Sequence, residues 1–193
     1  MLRRTYNWVI AWSHTPYGGW ALFLLSFAES SFFPVPPDVL LIALCVGKPK
    51  AAFRFATICS FASVLGGIAG YGIGLFAFES IGRPLLNLYD PNQAVFNQIQ
   101  NLYDTWGFWG VLTAAITPIP YKVFTIASGV FKFDLIQFVA ASLIGRSFRF
   151  FLVSGLIFWG GDRLKFWIEK YFDWFAWGFL AALILGFVVL KLI

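Results

Sequence analysis

The chain has 193 residues, of which 60% are apolar, 21% aromatic and 12% charged, and its formal net charge is +5. An ordinary soluble domain is about half apolar and roughly a quarter charged, so the 14 basic and 9 acidic side chains cannot cover the exterior of a soluble globule. The composition predicts one integral membrane domain over residues 1–193 and excludes a multidomain enzyme. The basic residues are divided among short segments, so nucleic acid is not an expected partner.

The N-terminal third is predicted to hold a helix at the membrane interface, Leu2–Ser13, and then an inserted helix, Trp20–Phe33. The prolines at 34 and 36 interrupt that helix, because proline lacks an N–H group and disfavours helix in the preceding residue. A short apolar run, Val39–Gly47, follows. Both arms are shorter than the ~20 residues that cross a bilayer, so a re-entrant helical hairpin broken at Pro34 and Pro36 is predicted.

The rest of the chain repeats this plan and adds a final helix. The predicted segments are a full span at Phe55–Phe78, an extramembrane connector at 81–104, a broken element from Gly107 to Phe131 with its break at Pro118 and Pro120, a full span at Leu135–Gly161, and a C-terminal transmembrane helix at 174–193. Repeat 1 therefore covers about residues 15–80 and repeat 2 covers residues 105–161.

An internal repeat supports this division. A shift of 84 residues lays the segment 34–48 on the segment 118–132 with seven identities in fifteen positions, including both prolines and the final lysine. Each repeat contains a hairpin and one crossing, so the second hairpin is predicted to enter from the opposite face, as in inverted-topology transporters. With the N-terminus inside, eight basic residues fall on inner segments and three on outer ones, which predicts a cytoplasmic N-terminus.

Five ionisable residues lie within or beside the predicted inserted elements: Glu29, Asp38, Lys122, Arg146 and Arg149. Such residues are costly in a bilayer and are functional candidates by default. Asp38 and Lys122 occupy equivalent positions after the two breaks, and inverted symmetry predicts that the breaks lie close together. Arg146 and Arg149 are three residues apart and share one helix face.

These charges predict an anion site with a proton-binding partner. Three cations exceed two carboxylates, and a guanidinium fork suits phosphate, so Lys122, Arg146 and Arg149 are predicted to bind a substrate phosphate. Glu29 and Asp38, partly desolvated, are the candidates for proton or cation coupling. Five neutral groups are candidates for further hydrogen bonds or for satisfying backbone near the prolines: Ser30, Ser31, Thr113, Thr117 and Tyr121. No catalytic set, cofactor motif or metal-ligand spacing occurs, so an enzyme is not predicted.

The pattern Glu29-x4-Pro34-x-Pro36-x-Asp38 resembles a signature of the DedA family of bacterial membrane proteins, which are related to the VTT-domain lipid scramblases of eukaryotes. The stretch 117–129 resembles the second signature of that family and is closest to its YqaA-type branch. The resemblance implies two opposed re-entrant hairpins, a multi-pass protein of the bacterial inner membrane, and movement of undecaprenyl phosphate or another lipid phosphate between leaflets with proton or cation coupling.

The resemblance also assigns residues. The acidic pair of the family maps onto Glu29 and Asp38. The family usually has arginine three residues before and three after the first proline of the second signature, where this chain has Ala115 and Tyr121. Arg146 and Arg149 are therefore candidates to supply the missing charge.

Two other functions compete with a lipid-phosphate transporter. A proton-coupled exchanger of monovalent cations would bind its ion at the carboxylates and use the basic residues as counter-charges. A non-transporting membrane scaffold would use the same charges as structural ion pairs. The sequence leaves a homodimer open.

Overall fold

A computed structural model describes residues 17–82, 94–117 and 119–160. Every regular element in these ranges is helical, which confirms the predicted all-α class. The predicted interfacial helix Leu2–Ser13, the C-terminal helix at 174–193 and the residue Pro118 lie outside the described residues.

The described helices include two long apolar ones. In chain order the helices are α1 Tyr17–Ser31, α2 Asp38–Gly47, α3 Ala52–Ala77, α4 Ala94–Ile116, α5 Tyr121–Val130 and α6 Leu135–Gly160. A 3₁₀ turn precedes α3 and a π-helical turn follows it, so that a continuous helical segment runs over Pro49–Ser80. Among the helices described, this segment and α6 are long and apolar enough to cross a membrane.

The breaks fall where the prolines predict them. The N–H groups of Phe32 and Phe33 both donate to the Ala28 carbonyl and close the end of α1, and Pro34 prevents its continuation. Helix α2 begins at Asp38, whose carboxylate interacts favourably with the positive end of the helix dipole. Similarly, α4 ends at Ile116 and α5 begins at Tyr121.

The second half of the predicted connector at 81–104 is helical. Helix α4 begins at Ala94 and runs without interruption through Gly107, where the broken element was predicted to begin. Asparagine and glutamine side chains cost a helix only a few tenths of a kcal/mol, and tertiary contact outweighs that cost. The Gln100 side-chain amide donates to the Phe131 carbonyl at 2.8 Å, which holds this polar part of α4 against the end of α5.

The order of elements is the same in both halves. Each half has a helix, a Pro-x-Pro break, a ten-residue helix and a long helix, and the C-terminal ends of corresponding helices are 83 to 85 residues apart. The spacing therefore agrees with the 84-residue shift between the two sequence segments.

Helix α3 packs closely on α1 and on α5. A Cβ atom on Gly66 would overlap the Phe27 carbonyl of α1, and one on Gly74 would overlap the Ile126 carbonyl of α5. Small residues allow helix backbones to approach at such positions, as is common in membrane helix packing. The glycines on one face of α3 thus bring α1 and α5 to the same helix.

Two apolar clusters lie along α6, on either side of a polar layer that contains Arg146 and Arg149. One cluster, which includes Leu22, Leu41, Leu44 and Phe150, joins α1, α2, α3 and α6. The other, which includes Val111 and Phe138, joins α4, α5 and α6. Helix α6 contributes to both, and its two arginines lie between the residues that it gives to each.

The close approach of α3 and α5 predicts opposite effects for two substitutions in one helix. Gly74→Ala should lower the free energy of unfolding by about 1–3 kcal/mol, because the new methyl group overlaps backbone. Gly72→Ala meets nothing within 4 Å and should raise that free energy by about 0.5–1 kcal/mol, because alanine is the better helix former. Unfolding of both variants in detergent micelles measures the difference, and equal stability of the two would contradict the close packing.

Candidate functional site

The buried ion pairs begin with Arg146 in the middle of α6. Its side chain is 3% exposed, and its Nη2 donates to Glu29 Oε2 at 2.9 Å. A buried guanidinium without a partner would carry a desolvation cost of several kcal/mol. Glu29, near the end of α1, supplies the compensating charge.

Two serine hydroxyls close this ion pair into a ring. Arg146 Nε donates to Ser63 Oγ at 2.6 Å, and the hydroxyls of Ser63 and Ser30 are 2.7 Å apart. Ser30 in turn donates to Glu29 Oε2 at 3.2 Å. Because Ser30 gives its proton to Glu29, Ser63 is the donor between the two hydroxyls. Arg146 therefore donates in both directions around the ring, each serine passes on one donated bond, and Glu29 Oε2 accepts at the end of both routes. The ring joins α1, α3 and α6.

Aromatic rings hold the Arg146 guanidinium from two sides. Its central carbon lies 4.9 Å from the ring centroid of Tyr121 and 4.6 Å from that of Phe150. Cation–π contacts contribute about 2 kcal/mol or more when they are desolvated. The same guanidinium donates from Nε to Ser63 and from Nη2 to Glu29.

Arg149 joins the two proline breaks directly. Its Nε and Nη2 donate to the two oxygens of Asp38, each at 3.0 Å, in a bidentate pair. Its Nη1 donates to the Thr117 carbonyl at 2.7 Å. Asp38 begins α2 and Thr117 follows α4, so one side chain contacts both ends. The side chains of Arg149 and Asp38 are 16% and 15% exposed.

Lys122 is the cation that these pairs leave over. Within the described part of the chain its Nζ makes no ion pair and reaches only the Phe33 carbonyl at 3.4 Å, beside the first break. Its sequence equivalent Asp38 pairs with Arg149 instead. The five ionisable residues therefore form two pairs and one partly exposed lysine.

The neutral candidates divide into site residues and backbone partners. Ser30 belongs to the ring, and the Tyr121 ring contacts Arg146. Ser31 donates to the carbonyls of Phe27 and Gly66, and Thr117 donates to the Thr113 carbonyl. These last groups satisfy helix backbone, and Thr113 itself is exposed.

Sequence reasoning missed Ser63 and Phe150. Ser63 lies three residues before Gly66 and seven before Gly70, so it continues the glycine face of α3. That register was the available signal for its contact with the inserted helices. Phe150, one turn after Arg146, carried no signal among 24 phenylalanines.

The structure accounts for the residues at 115 and 121. Ala115 is fully buried, and a Cβ atom on Gly145 of α6 would overlap its methyl group, so a long side chain at 115 has no space there. Tyr121 lies against the guanidinium of Arg146. Arg146 and Arg149 thus bring two guanidinium groups to the second break from α6.

The described residues contain no group of three or more His, Cys, Asp or Glu side chains placed to hold a metal ion. Cys45 and Cys59 are buried free thiols. The Cys59 thiol donates to Ser26 Oγ at 3.4 Å, and it serves the packing of α1 on α3.

Comparison with known proteins gives two close bacterial relatives. An uncharacterised protein of Haemophilus influenzae is 34% identical over 186 residues, which cover 96% of each chain. The HI0703 homologue of Histophilus somni, also uncharacterised, has the same identity and coverage. The chain belongs to the family of these two proteins.

A more distant relative is named as a membrane protein. The Golgi apparatus membrane protein TVP38 of Eremothecium gossypii is 27% identical over 142 residues, which cover 72% of this chain and 43% of TVP38. This similarity and the two long apolar helices indicate a membrane protein. No protein-family model matches the chain, and no solved structure matches it. None of these relatives is named as an enzyme.

The hydroxyl ring predicts different costs for two buried serines of α3. Ser63→Ala should lower the free energy of unfolding by about 1–3 kcal/mol, because Arg146 Nε and the Ser30 hydroxyl lose a buried partner. The Ser60 hydroxyl is buried without a hydrogen-bond partner, so Ser60→Ala should leave stability unchanged or raise it. Chemical unfolding in micelles measures both. Equal destabilisation would show that the ring is not a stabilising unit.

The bidentate contact predicts that lysine cannot replace Arg149. Arg149→Lys keeps the charge but loses the fork to Asp38 and the bond to the Thr117 carbonyl, which should lower the free energy of unfolding by about 1–3 kcal/mol. Arg54→Lys, at an exposed position of α3, is the matched control and should change stability by no more than about 0.5 kcal/mol. Wild-type stability of Arg149→Lys would contradict a stabilising role for the bidentate contact with Asp38.

Proposed function

We propose that the protein moves an anionic lipid phosphate, with undecaprenyl phosphate or a related phospholipid as substrate, between the leaflets of a bacterial inner membrane. Transport is coupled to protons or to a monovalent cation. The observation that carries the proposal is the layer of five ionisable side chains at the two proline breaks, where two arginine–carboxylate pairs leave one lysine without a counter-charge among the described residues.

The membrane arrangement is part of the proposal. Helices α1 with α2, and α4 with α5, are re-entrant hairpins, and α3 and α6 are the spans that follow them. One crossing separates the two hairpins, so they enter from opposite faces as an inverted repeat. The distribution of Lys and Arg along the sequence supports a cytoplasmic N-terminus. The residues of the second signature, 117–129, support the YqaA-type branch.

The charge surplus favours an anionic substrate. Arg146 and Arg149 are each neutralised by a carboxylate, so the net positive charge at the breaks comes from Lys122. Phosphate offers several acceptor oxygens to an ammonium or a guanidinium. Lys122 is the first contact for the headgroup, and an arginine becomes available when the carboxylate paired with it is neutralised.

Two observations bear on the competing functions. An exchanger of cations needs carboxylate oxygens for the ion, whereas three of the four oxygens of Glu29 and Asp38 accept hydrogen bonds from arginine or serine. A scaffold fits the two ion pairs but gives no reason for a cation beside the Phe33 carbonyl. A scaffold would also tolerate exchange of Asp38 and Arg149 between their two positions.

Transport in vesicles tests the proposal. Purified protein in liposomes should accelerate the exchange of fluorescent polyprenyl phosphate or phosphatidic acid between leaflets, read by quencher accessibility. Lys122→Ala should lower the rate roughly tenfold, as expected for the loss of one charge-assisted hydrogen bond of about 1.5 kcal/mol. Lys50→Ala, at an exposed lysine of the 3₁₀ turn, should not change it.

The same vesicles distinguish the competing functions. A neutral labelled lipid, diacylglycerol, controls for leakage of the bilayer. Flux of sodium or potassium without lipid movement would establish the exchanger, and the absence of any flux from folded protein would favour the scaffold.

A further inference from the structure

We infer that Glu29 and Asp38 have different tasks: Glu29 takes up the coupling proton through Oε1, and Asp38 stays ionised and holds the two halves together. The inference rests on the proposed function and identifies the residue that couples transport to protons.

Asp38 has no free oxygen for a proton. Its Oδ1 accepts from Arg149 Nε and its Oδ2 accepts from Arg149 Nη2, both at 3.0 Å. Because Arg149 engages both oxygens, a proton on either one would turn one charge-assisted arm of the bidentate pair into a weaker bond to a hydroxyl oxygen. The same guanidinium holds the Thr117 carbonyl, so protonation of Asp38 would also loosen the link between the two breaks.

Glu29 presents the opposite arrangement. Its two hydrogen bonds, from Arg146 Nη2 and from the Ser30 hydroxyl, converge on Oε2. Oε1 accepts none, and it is not among the buried unpaired atoms of the described residues, so the exposed 15% of this side chain includes Oε1. A proton can therefore bind at Oε1 while Oε2 still accepts both bonds and the ring with Ser63 stays closed.

The surroundings of Glu29 make this proton a switch for anion binding. The charged or titratable groups on the helices around it are Cys59 on α3, Asp38 on α2, Tyr121 and Lys122 on α5, and Arg146 on α6. Of these, Arg146 is the direct partner, and Asp38 is already neutralised by Arg149. Protonation of Glu29 therefore leaves the charge of Arg146 uncompensated and adds one positive charge to the surplus of Lys122.

Proton binding and phosphate binding then favour each other. A proton on Oε1 strengthens the attraction of the site for an anion, and linkage makes this coupling reciprocal. The proton comes from the aqueous phase that reaches Oε1 and returns to water when the phosphate leaves. No covalent bond to the substrate forms or breaks.

The test compares full-length wild type with Glu29→Gln and Asp38→Asn. Glutamine keeps an acceptor for Arg146 and Ser30 but cannot titrate. Protons taken up on binding of polyprenyl phosphate are counted in weakly buffered micelles, and leaflet exchange is measured in vesicles over a pH series. The phosphate monoester itself titrates near neutral pH, so the difference between wild type and variant isolates the proton on the protein.

The expected results separate the two carboxylates. Glu29→Gln should take up about one proton fewer than wild type per lipid bound, and any exchange that it catalyses should not follow the pH dependence of wild type. Asp38→Asn should melt at a lower temperature and exchange lipid more slowly, while its proton uptake and the shape of its pH profile stay those of wild type. Asp104→Asn, at an exposed carboxylate of α4, should match wild type in every measurement.

Each failure has a separate meaning. If wild type moves no lipid, the proposed function is wrong. If wild type moves lipid but Glu29→Gln keeps the full proton uptake, or Asp38→Asn loses it, the division of tasks is wrong. Should Asp38→Asn not fold, Asp38→Glu replaces it, because it restores a carboxylate for Arg149, and it should keep the proton uptake of wild type.

Discussion

Two guanidinium groups in the middle of an apolar helix have to be neutralised inside the molecule, and this requirement organises the described fold. Neither Arg146 nor Arg149 has a carboxylate on its own helix, because α6 contains no acidic residue. The carboxylates that neutralise them come from other helices: Glu29 lies near the end of α1 and Asp38 at the start of α2. The first proline break lies between those two residues, so the ion pairs and the break belong to one arrangement.

Close packing makes the arrangement possible. The ring through Ser63 requires α1, α3 and α6 to meet within hydrogen-bond distance, and the glycine face of α3 allows that approach. The apolar clusters on either side of the polar layer lower the local dielectric constant and strengthen the electrostatic attraction within it. Buried ion pairs of this kind contribute little net stability compared with well-packed apolar residues. Their presence therefore supports a role in function more than a role in folding.

Much of the fold could be predicted from proline and charge alone. Proline removes a backbone donor wherever it occurs, so the ends of α1 and α4 and the starts of α2 and α5 followed from local chemistry. The five ionisable residues were visible because a bilayer tolerates so few. The polar start of α4 could not be predicted, because Gln100 gains its partner from the distant Phe131 carbonyl and helix propensity carries no such information.

The pairing of the charges was also beyond the sequence. The repeat placed Asp38 opposite Lys122, but repeat symmetry constrains backbone positions and not the reach of side chains. Arginine from α6 extends into the break and takes the carboxylate in a bidentate geometry that lysine cannot match. Ser63 could not be identified for a related reason. The sequence does not show which group a single serine in an apolar helix will contact.

The position of both arginines on one turn of α6 has a mechanical consequence. They are three residues apart, about 4.5 Å along the helix axis, on a rigid element that contacts both apolar clusters. A rotation or slide of α6 displaces both guanidinium groups together, so the contact with Glu29 and the contact with Asp38 and Thr117 cannot be released one at a time by moving this helix. Because α6 carries both arginines, a movement of this helix changes the contacts at both proline breaks together.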